Sequence, residues 1–537
     1  MHSSGSRILH PTKSSISSRV FKSNHPLPPL HILSPLQWVL EATEDKNAEI
    51  ILTAPATEMS THHGKEFMGF GTCTPPGVVP SWFVKLFFYP KVKNKNGVVK
   101  FAPYGLRKVE AILIENGFNV VTVHPYDIEK YLSNAKVVGV SVMDPLGFGP
   151  VSVTFSSLLG GTPSTRLEFV KLMEKLRPFK DKIKIIVGGP GSWQLEWDEH
   201  WKNFVDCIVI GEADEAAPSL FRKALRGEEL PKIVHCKSPD VEKIPTIKNP
   251  SVNGLIEISR GCGRGCRFCS ETLKRRRDVQ LNKILEEVKL NIRGGTKGII
   301  LHAEDVLLYG CKDPKFVPNE EKVIKLFKAV KTITGNVGIS HCSLAAVSVK
   351  PTLVEEISHI LEVGEKIPMF GVQTGVETGS TRIMEKYMHG KCLPFHPNEW
   401  QEVVEQAFAI MHENLWIPAA TLLIGLPDET DEDIIKTVEL VERLRDYRSL
   451  IVPLIFIPME VCALRRERMF AKENLRETHW ELLITCMDHD IRWLDDLEKN
   501  YLTGYRNSLI KLGYQAFVWW VKRAWRRKRR EILSLYA

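Results

Sequence analysis

The chain of 537 residues contains no uninterrupted apolar run of about 18 residues, so the sequence predicts no membrane-spanning helix. Cysteine is scarce at 11 residues. Outside one short stretch the cysteines stand singly, at Cys73, Cys207, Cys236, Cys311, Cys342, Cys392, Cys462 and Cys486, which excludes a disulfide framework and points to a reducing cytoplasm. Charge of neither sign dominates, because 72 Lys and Arg face 64 Asp and Glu, and the net +8 suits nucleic acid, an anionic membrane surface or an acidic cofactor alike. The opening "MHSSGSRILHPTKSSISSRVFKSNHPLPPL" lacks the apolar centre of an export signal; polar, basic and Pro-rich, it reads as a flexible lead-in over 1–47, with a transit peptide as the other reading. What remains is ordinary soluble material, 43% hydrophobic and 25% charged, long enough for several domains.

Against that scarcity, "ISRGCGRGCRFCSETLKRRR" (Ile258–Arg277) crowds three cysteines into one loop. Cys262, Cys266 and Cys269 form C-x3-C-x2-C, a spacing that lets one turn offer three thiolates to one face of an iron–sulfur cubane. Gly261, Gly263 and Gly265 permit the left-handed backbone of such a wrap. Zinc is the rival ligand, but a closed zinc site needs four donors and no second cysteine pair follows. An inert reduced trio is the third reading. The setting is a predicted strand, "GLIEIS", before the loop and a helical pattern, "VQLNKILEEVKLNIRGG", after it. The run Lys274–Arg277 reads either as a contact for a carboxylate or an acidic redox partner, or as a solvated turn.

The cysteine spacing after a first strand, with Phe268 before the last cysteine, resembles the radical S-adenosylmethionine (SAM) superfamily. The resemblance implies that the three cysteines bind a [4Fe–4S] cluster whose open iron takes the amino and carboxylate groups of SAM, and that electron transfer yields a 5′-deoxyadenosyl radical. It extends over about 180 residues through "KGIILHAEDVLLYG", "FGVQTGVETGSTRIMEKYMHGK" and "PAATLLIGLPDETDEDIIKTVELV". It implies that Glu304 meets the methionine ammonium, although His302-Ala303-Glu304 stands where the family often has Gly-Gly-Glu. Glu377, Ser380 and Arg382 are placed near the ribose and carboxylate, and Gly425 near the adenine, with Asp428 replacing the family's usual glycine. The alternation of apolar runs and amphipathic stretches argues for βα units, and the family's partial (β/α)6 barrel is expected over 246–460.

Ahead of it, over 48–245, "AEIILTAP", "FNVVTVHP", "AKVVGVSVMDP", "IKIIVGGPG" and "VDCIVIGEADE" predict a parallel, doubly wound sheet, giving an α/β fold overall with a Rossmann-like domain first. This order resembles the cobalamin-binding-domain subfamily, and Ser141, Gly188, Gly189 and Gly211 mark the candidate crevice. The Asp-x-His-x-x-Gly motif that supplies a histidine ligand in some cobalamin proteins is missing, so cobalamin is an expectation carried by the fold order alone.

Residues 461–537 predict a helical extension ending in Phe517, Trp519, Trp520 and Trp525 beside a cluster of Lys and Arg. That pairing suits a lipid headgroup layer, an RNA strand, or plain packing with a solvated basic face. The chain resembles archaeal members of the subfamily along "FAPYGLRKVEAIL" and "LWIPAATLLIGLP". The function implied is activation of an unactivated C–H bond for carbon–carbon bond formation, on isoprenoid membrane lipids as in tetraether ring formation. The alternatives are cobalamin-dependent C-methylation of a protein residue, as in methyl-coenzyme M reductase, or of a small molecule, and an RNA-binding or RNA-modifying role. The expected partners are an electron donor such as ferredoxin or flavodoxin and an anionic membrane surface, with no DNA; the expected location is the cytoplasm, peripheral on the membrane. No catalytic side chain is assigned from the sequence.

Overall fold

The computed structural model describes residues 47–536, except 65, 77–79, 460–461 and 502–507. Nearly all of the lead-in expected over 1–47 therefore lies outside the described residues.

The first sheet is built from β1 (Ile50–Thr53), β2 (Val120–Thr122), β3 (Val137–Ser141), β4 (Lys184–Gly188), β5 (Cys207–Ile210) and β6 (Ile233–His235). Its order is β2-β1-β3-β4-β5-β6, every pair parallel, so the chain reverses direction across the sheet at β1 and β3. The strands are apolar runs because both faces are covered. Alternate side chains divide between two cores, with Ile51, Val138, Ile185 and Ile208 entering one and Ile50, Leu52, Val137, Ile186 and Val209 the other.

The second parallel set is β7 (Leu255–Glu257), β8 (Ile299–His302), β9 (Val337–Ile339), β10 (Phe370–Glu377), β11 (Trp416–Ile424) and β12 (Leu450–Ile455). It pairs as β9-β8-β7 and β10-β11-β12, and a parallel bridge from His341 to Gln373 joins the two halves beyond β9. Six parallel strands in chain order with helices between them make the open barrel expected from the sequence. Those helices owe their position to one apolar stripe each: Leu281–Arg293 buries Ile284, Val288 and Asn291, and Pro351–Leu361 buries Leu353, Val354, Ile357 and Leu361.

Polar side chains lock the two units together. From the helix Tyr104–Glu115, the Tyr104 hydroxyl and the Lys108 ammonium both reach Glu287 on the barrel helix Leu281–Arg293, at 2.8 and 2.6 Å. Arg107, wholly buried, pairs with Glu110 and donates to the Pro250 carbonyl at the barrel's entry. The helix Pro150–Leu159 lies on β12, where the Ile455 N–H donates to the Thr154 hydroxyl at 2.9 Å. Helices Glu477–Tyr501 and Ser508–Tyr536 complete the chain. None of the helices among the described residues is long and apolar enough to cross a membrane.

Candidate functional site

The cysteine loop leaves β7 and is pinned before it can wander. Gly261 has φ +82°, and a Cβ there would meet the Arg275 carbonyl oxygen at 2.3 Å, so the turn and the close approach both require glycine. The N–H groups of Cys262 and Gly263 both donate to the Leu273 carbonyl, and Arg267 N–H donates to Tyr387 on the helix Thr381–Cys392. That helix abuts the loop so tightly that a Cβ on Gly390 would stand 2.0 Å from the Arg264 carbonyl oxygen.

Arg264, between the first two cysteines, is the loop's main anchor, and motif reading missed it. Its guanidinium is buried and donates to the carbonyls of Gly390, Lys391 and Leu393 at 3.1, 3.2 and 2.9 Å, capping the C-terminus of Thr381–Cys392. It also donates to the Ser343 hydroxyl at 3.0 Å, faces Asp305 at 3.6 Å and stacks over Phe316. One arginine thus ties together the loop, β9's exit and the segment after β8.

The loop opens on a cavity of about 220 Å³ at the carboxyl ends of the barrel strands. Cys262, Cys266, Cys269 and Phe268 line it, as do Glu304, Asp305, His341, Gln373, Glu377 and Lys391. Among the described residues no three His, Cys, Asp or Glu side chains gather around one point as a single metal ion needs. The three thiols come from one loop, with the Cys266 and Cys269 side chains hydrogen-bonded to each other, and they make up the donor set that a [4Fe–4S] cluster takes. A hydrogen bond between Cys266 and Cys269 lowers the Cys266 thiol and raises that of Cys269, and burial pushes Cys262 up to about 11. Positive charge stands by for thiolates: Arg264 lowers Cys262 and Cys266, and Lys391 lowers Cys266 and Cys269.

Glu377 ends β10 at φ +65°, where the register with β11 shifts between Gly375 and Glu377. The kink turns the carboxylate back over Gly375, whose absent Cβ leaves the room it occupies, and Lys391 donates to it at 2.9 Å. Burial opposes the Lys391 charge, but Glu377 and then the thiols outweigh it, so its pKa is raised. Glu304 lines the same cavity. Desolvation raises its pKa against the opposing pull of His302, which favours the neutral acid, and a cation brought there would draw it back toward the carboxylate. Asp305 keeps both carboxylate oxygens buried without a hydrogen bond, and His341, held down at about 3 by burial, keeps Nδ1 unpartnered. These orphaned groups and this donor set fit a polar, zwitterionic ligand beside a thiolate-held cluster.

Not every residue singled out from the sequence reaches the cavity. Ser380 is buried as the N-cap of Thr381–Cys392: its hydroxyl accepts from Ile383 N–H and donates to Asp433 at 2.5 Å. Arg382 lies outside, on Asp433 and the Asp428 carbonyl. Gly425 has φ +81° and faces the Phe470 ring, which a Cβ would strike at 2.2 Å. Of the basic run, only Lys274 lines the cavity; Arg275 pairs with Asp240, Arg276 caps the carbonyls of Leu308 and Cys311, and Arg277 is buried against Glu212.

At the first sheet's carboxyl edge, the glycines serve the fold. A Cβ on Gly189 would meet the Val142 oxygen at 2.6 Å, and one on Gly211 the Cys236 oxygen at 2.5 Å, while Gly188 makes only ordinary contact with Val209 beside Ser141. Groups that suit a bulky, amide-rich cofactor stand elsewhere on that edge. The hydroxyls of Thr57 and Ser156 are buried without partners, that of Ser152 meets the Cys73 thiol, and Met143 is exposed on the loop after β3.

Residues 256–441 match the profile of the Radical SAM superfamily. They form a radical SAM domain. Curated relatives of this chain include tRNA-2-methylthio-N(6)-dimethylallyladenosine synthase of Anaplasma phagocytophilum (strain HZ), 30% identical over 248 residues, which are 44% of this chain and 52% of the relative. The synthase of the same name from Orientia tsutsugamushi (strain Ikeda) is 26% identical over 281 residues, 50% and 59% of the two chains. The chain thus spans little more than half the length of these relatives. Among solved structures, the radical SAM methyltransferase TsrM from Kitasatospora setae, with cobalamin and a [4Fe–4S] cluster bound, is similar with a TM-score of 0.50 at 14% identity, covering 78% of this chain and 77% of TsrM. That likeness is one of fold, and it reaches well beyond the radical SAM domain.

Proposed function

We propose that the chain is a radical SAM enzyme that forms a carbon–carbon bond at a carbon with no acidic proton. The observation that carries this reading is the meeting of three thiols, Glu304 and the Glu377–Lys391 pair on one cavity at the carboxyl ends of parallel strands. Bound there, a [4Fe–4S] cluster with SAM would supply a 5′-deoxyadenosyl radical able to abstract hydrogen from such a carbon. The chain's own part is positional and electrostatic. Cys262, Cys266 and Cys269 would hold the cluster from one loop, beside the cavity space that SAM would enter. Glu304 accepts the ammonium, Arg264 keeps the loop against Thr381–Cys392, and Lys391 offsets thiolate charge. The reductant is a small acidic redox protein of the ferredoxin or flavodoxin kind.

For the substrate, the exposed Trp519 and the cations of the C-terminal helix support an isoprenoid membrane lipid, as in tetraether ring formation. The second reading is cobalamin-dependent C-methylation. It is supported by the parallel sheet ahead of the barrel, by the unpartnered hydroxyls of Thr57 and Ser156, and by the fold shared with TsrM. The names of the curated relatives keep a tRNA substrate as the outcome to exclude.

Anaerobic purification of the wild type and Cys266→Ala, with iron and cobalt quantified and 5′-deoxyadenosine measured after reduction with SAM, tests the reading. About four irons per chain and SAM cleavage, both lost in the variant, are expected. Stoichiometric cobalamin would move the assignment to methyl transfer, and a reconstituted wild type that holds no iron would overturn the enzyme altogether.

A further inference from the structure

We propose that the chain docks on an anionic lipid bilayer through a surface made jointly by the helices Ser81–Phe87 and Ser508–Tyr536. The structure separates the aromatic residues that the fold uses from those it leaves outside. Tyr514 and Phe517 pack on Phe83, Phe87 and Phe88, with Trp520 against Phe517, and the Tyr514 hydroxyl donates to the Phe87 carbonyl at 3.1 Å. The contact is close: a Cβ on Gly513 would strike the Phe87 ring at 2.4 Å. Farther along, Trp525 and Arg529 hold Asp488, and Lys522 pairs with Asp495, both acids lying on Glu477–Tyr501.

Beside this packed seam, four large apolar side chains face solvent: Trp82 at 65% exposure, Leu86 at 51%, Leu512 at 63% and Trp519 at 62%. Trp82 and Leu86 stand four apart on the short helix; Leu512 and Trp519 stand seven apart on the long one, so each pair shares a face. The strip continues at the same helical spacing into Arg523, Arg526 and Arg530. Among the described residues none of these three has a carboxylate partner: Arg523 lies over the Trp519 ring at 5.7 Å, and Arg530 turns to the Arg526 carbonyl. On the long helix Leu512 and Trp519 are thus exposed beside the polar Lys511 and Gln515, exposed cations dominate its second half, and the short helix packed on the first half adds an exposed indole and leucine.

Indole rings and aliphatic side chains bury in the headgroup and acyl boundary, while guanidinium groups meet lipid phosphates. The leucines decide between lipid and single-stranded RNA. An RNA strand rewards stacking rings and cations, but Leu86 and Leu512 offer it neither. The inference does not rest on the chemistry of the cysteine loop.

Flotation of the full chain with vesicles of phosphatidylcholine containing phosphatidylglycerol, and with phosphatidylcholine vesicles alone, tests it. Binding to the anionic vesicles is expected, with a loss of roughly a hundredfold in the triple variant Arg523→Gln, Arg526→Gln, Arg530→Gln. The double variant Trp82→Ala, Trp519→Ala is expected to weaken binding and to remove quenching of indole fluorescence by brominated acyl chains. All five side chains are solvent-facing, so circular dichroism should report unchanged helix content in both variants. Cys266→Ala floats as the wild type does, which separates this surface from the cavity. Equal flotation of the wild type and the arginine variant, or affinity for single-stranded RNA without vesicle binding, would overturn the proposal.

Discussion

In the N-terminal sheet, the loop after β3 crosses the loop after β4 so closely that a Cβ on Gly191 would stand 2.1 Å from the Met143 carbonyl oxygen. In the barrel, the loop after β7 packs hard against the helix Thr381–Cys392, with 2.0 Å from a Cβ on Gly390 to the Arg264 carbonyl oxygen, and still leaves a cavity of about 220 Å³. Both sheets are parallel, the first covered by helices on both faces and the barrel on its outer face, and both carry their loops at the carboxyl ends. The difference lies in what the loops are fastened to. Gly189, Gly191 and Gly211 let the strand exits of the first sheet fasten to one another. In the barrel, Arg264 fastens the cysteine loop sideways, to the end of Thr381–Cys392 and to Ser343, so the space over the strand ends stays free. A ligand edge is kept open by lateral anchoring.

That account fails most visibly if the anchor is dispensable. Arg264→Ala removes a buried guanidinium, leaving Asp305 and three helix-end carbonyls without a partner, and a loss of about 3–5 kcal/mol is expected in urea unfolding. A variant as stable as the wild type would place the anchoring elsewhere. A smaller effect is expected where loops close on one another. Gly191→Ala forces the Met143 carbonyl away and should cost about 1–3 kcal/mol, with iron content unchanged because the cavity lies on the other sheet. Loss of iron in that variant would mean the two edges are coupled. A pH effect is expected at the closed edge as well. Burial raises the Glu58 carboxyl from 4.5 to about 8, against the pull of the Met143 N–H that it accepts, so the native chain holds a proton that the unfolded chain releases. Stability should therefore fall as pH rises from about 4.5 to 8, and Glu58→Gln should flatten that slope in a series of melting curves. A slope equally steep in the variant would assign it to another group.

Much of the architecture was legible because it is local. "AKVVGVSVMDP" and "IKIIVGGPG" became β3 and β4, since short apolar runs ended by Gly or Pro can only be strands buried on both faces. The strand Leu450–Ile455 escaped the sequence reading; Pro453 interrupts its pattern. At the site, the three cysteines share one loop and could be read from spacing. Arg264 could not, because the carbonyls it caps lie 126 to 129 residues away. Lys391 was overlooked for a related reason: it meets Glu377 only because the chain turns from β10 into Thr381–Cys392 and brings that helix's end back beside the strand. Ser380, Arg382 and Gly425 differ from the cysteines in that none of them lines the cavity. Their motifs were found in order, but linear order does not say which side of a strand end faces inward, and capping and ring packing claimed all three.

The seam between the sheets has a consequence for how such a protein can be inherited. Arg260 and Arg277 flank the cysteine loop, and each takes Glu212, on the exit of β5, as a partner at 2.6 Å, with Asp214 on Arg260 as well. Cut at the boundary between the units, the barrel would keep a buried Arg277 whose counter-charge had left with the other piece, and an Arg260 left with Glu257 as its carboxylate partner. The catalytic half is therefore no interchangeable cassette. A chimera that joins this barrel to another family member's first sheet must bring the acids with it, and recombination in nature faces the same matching condition.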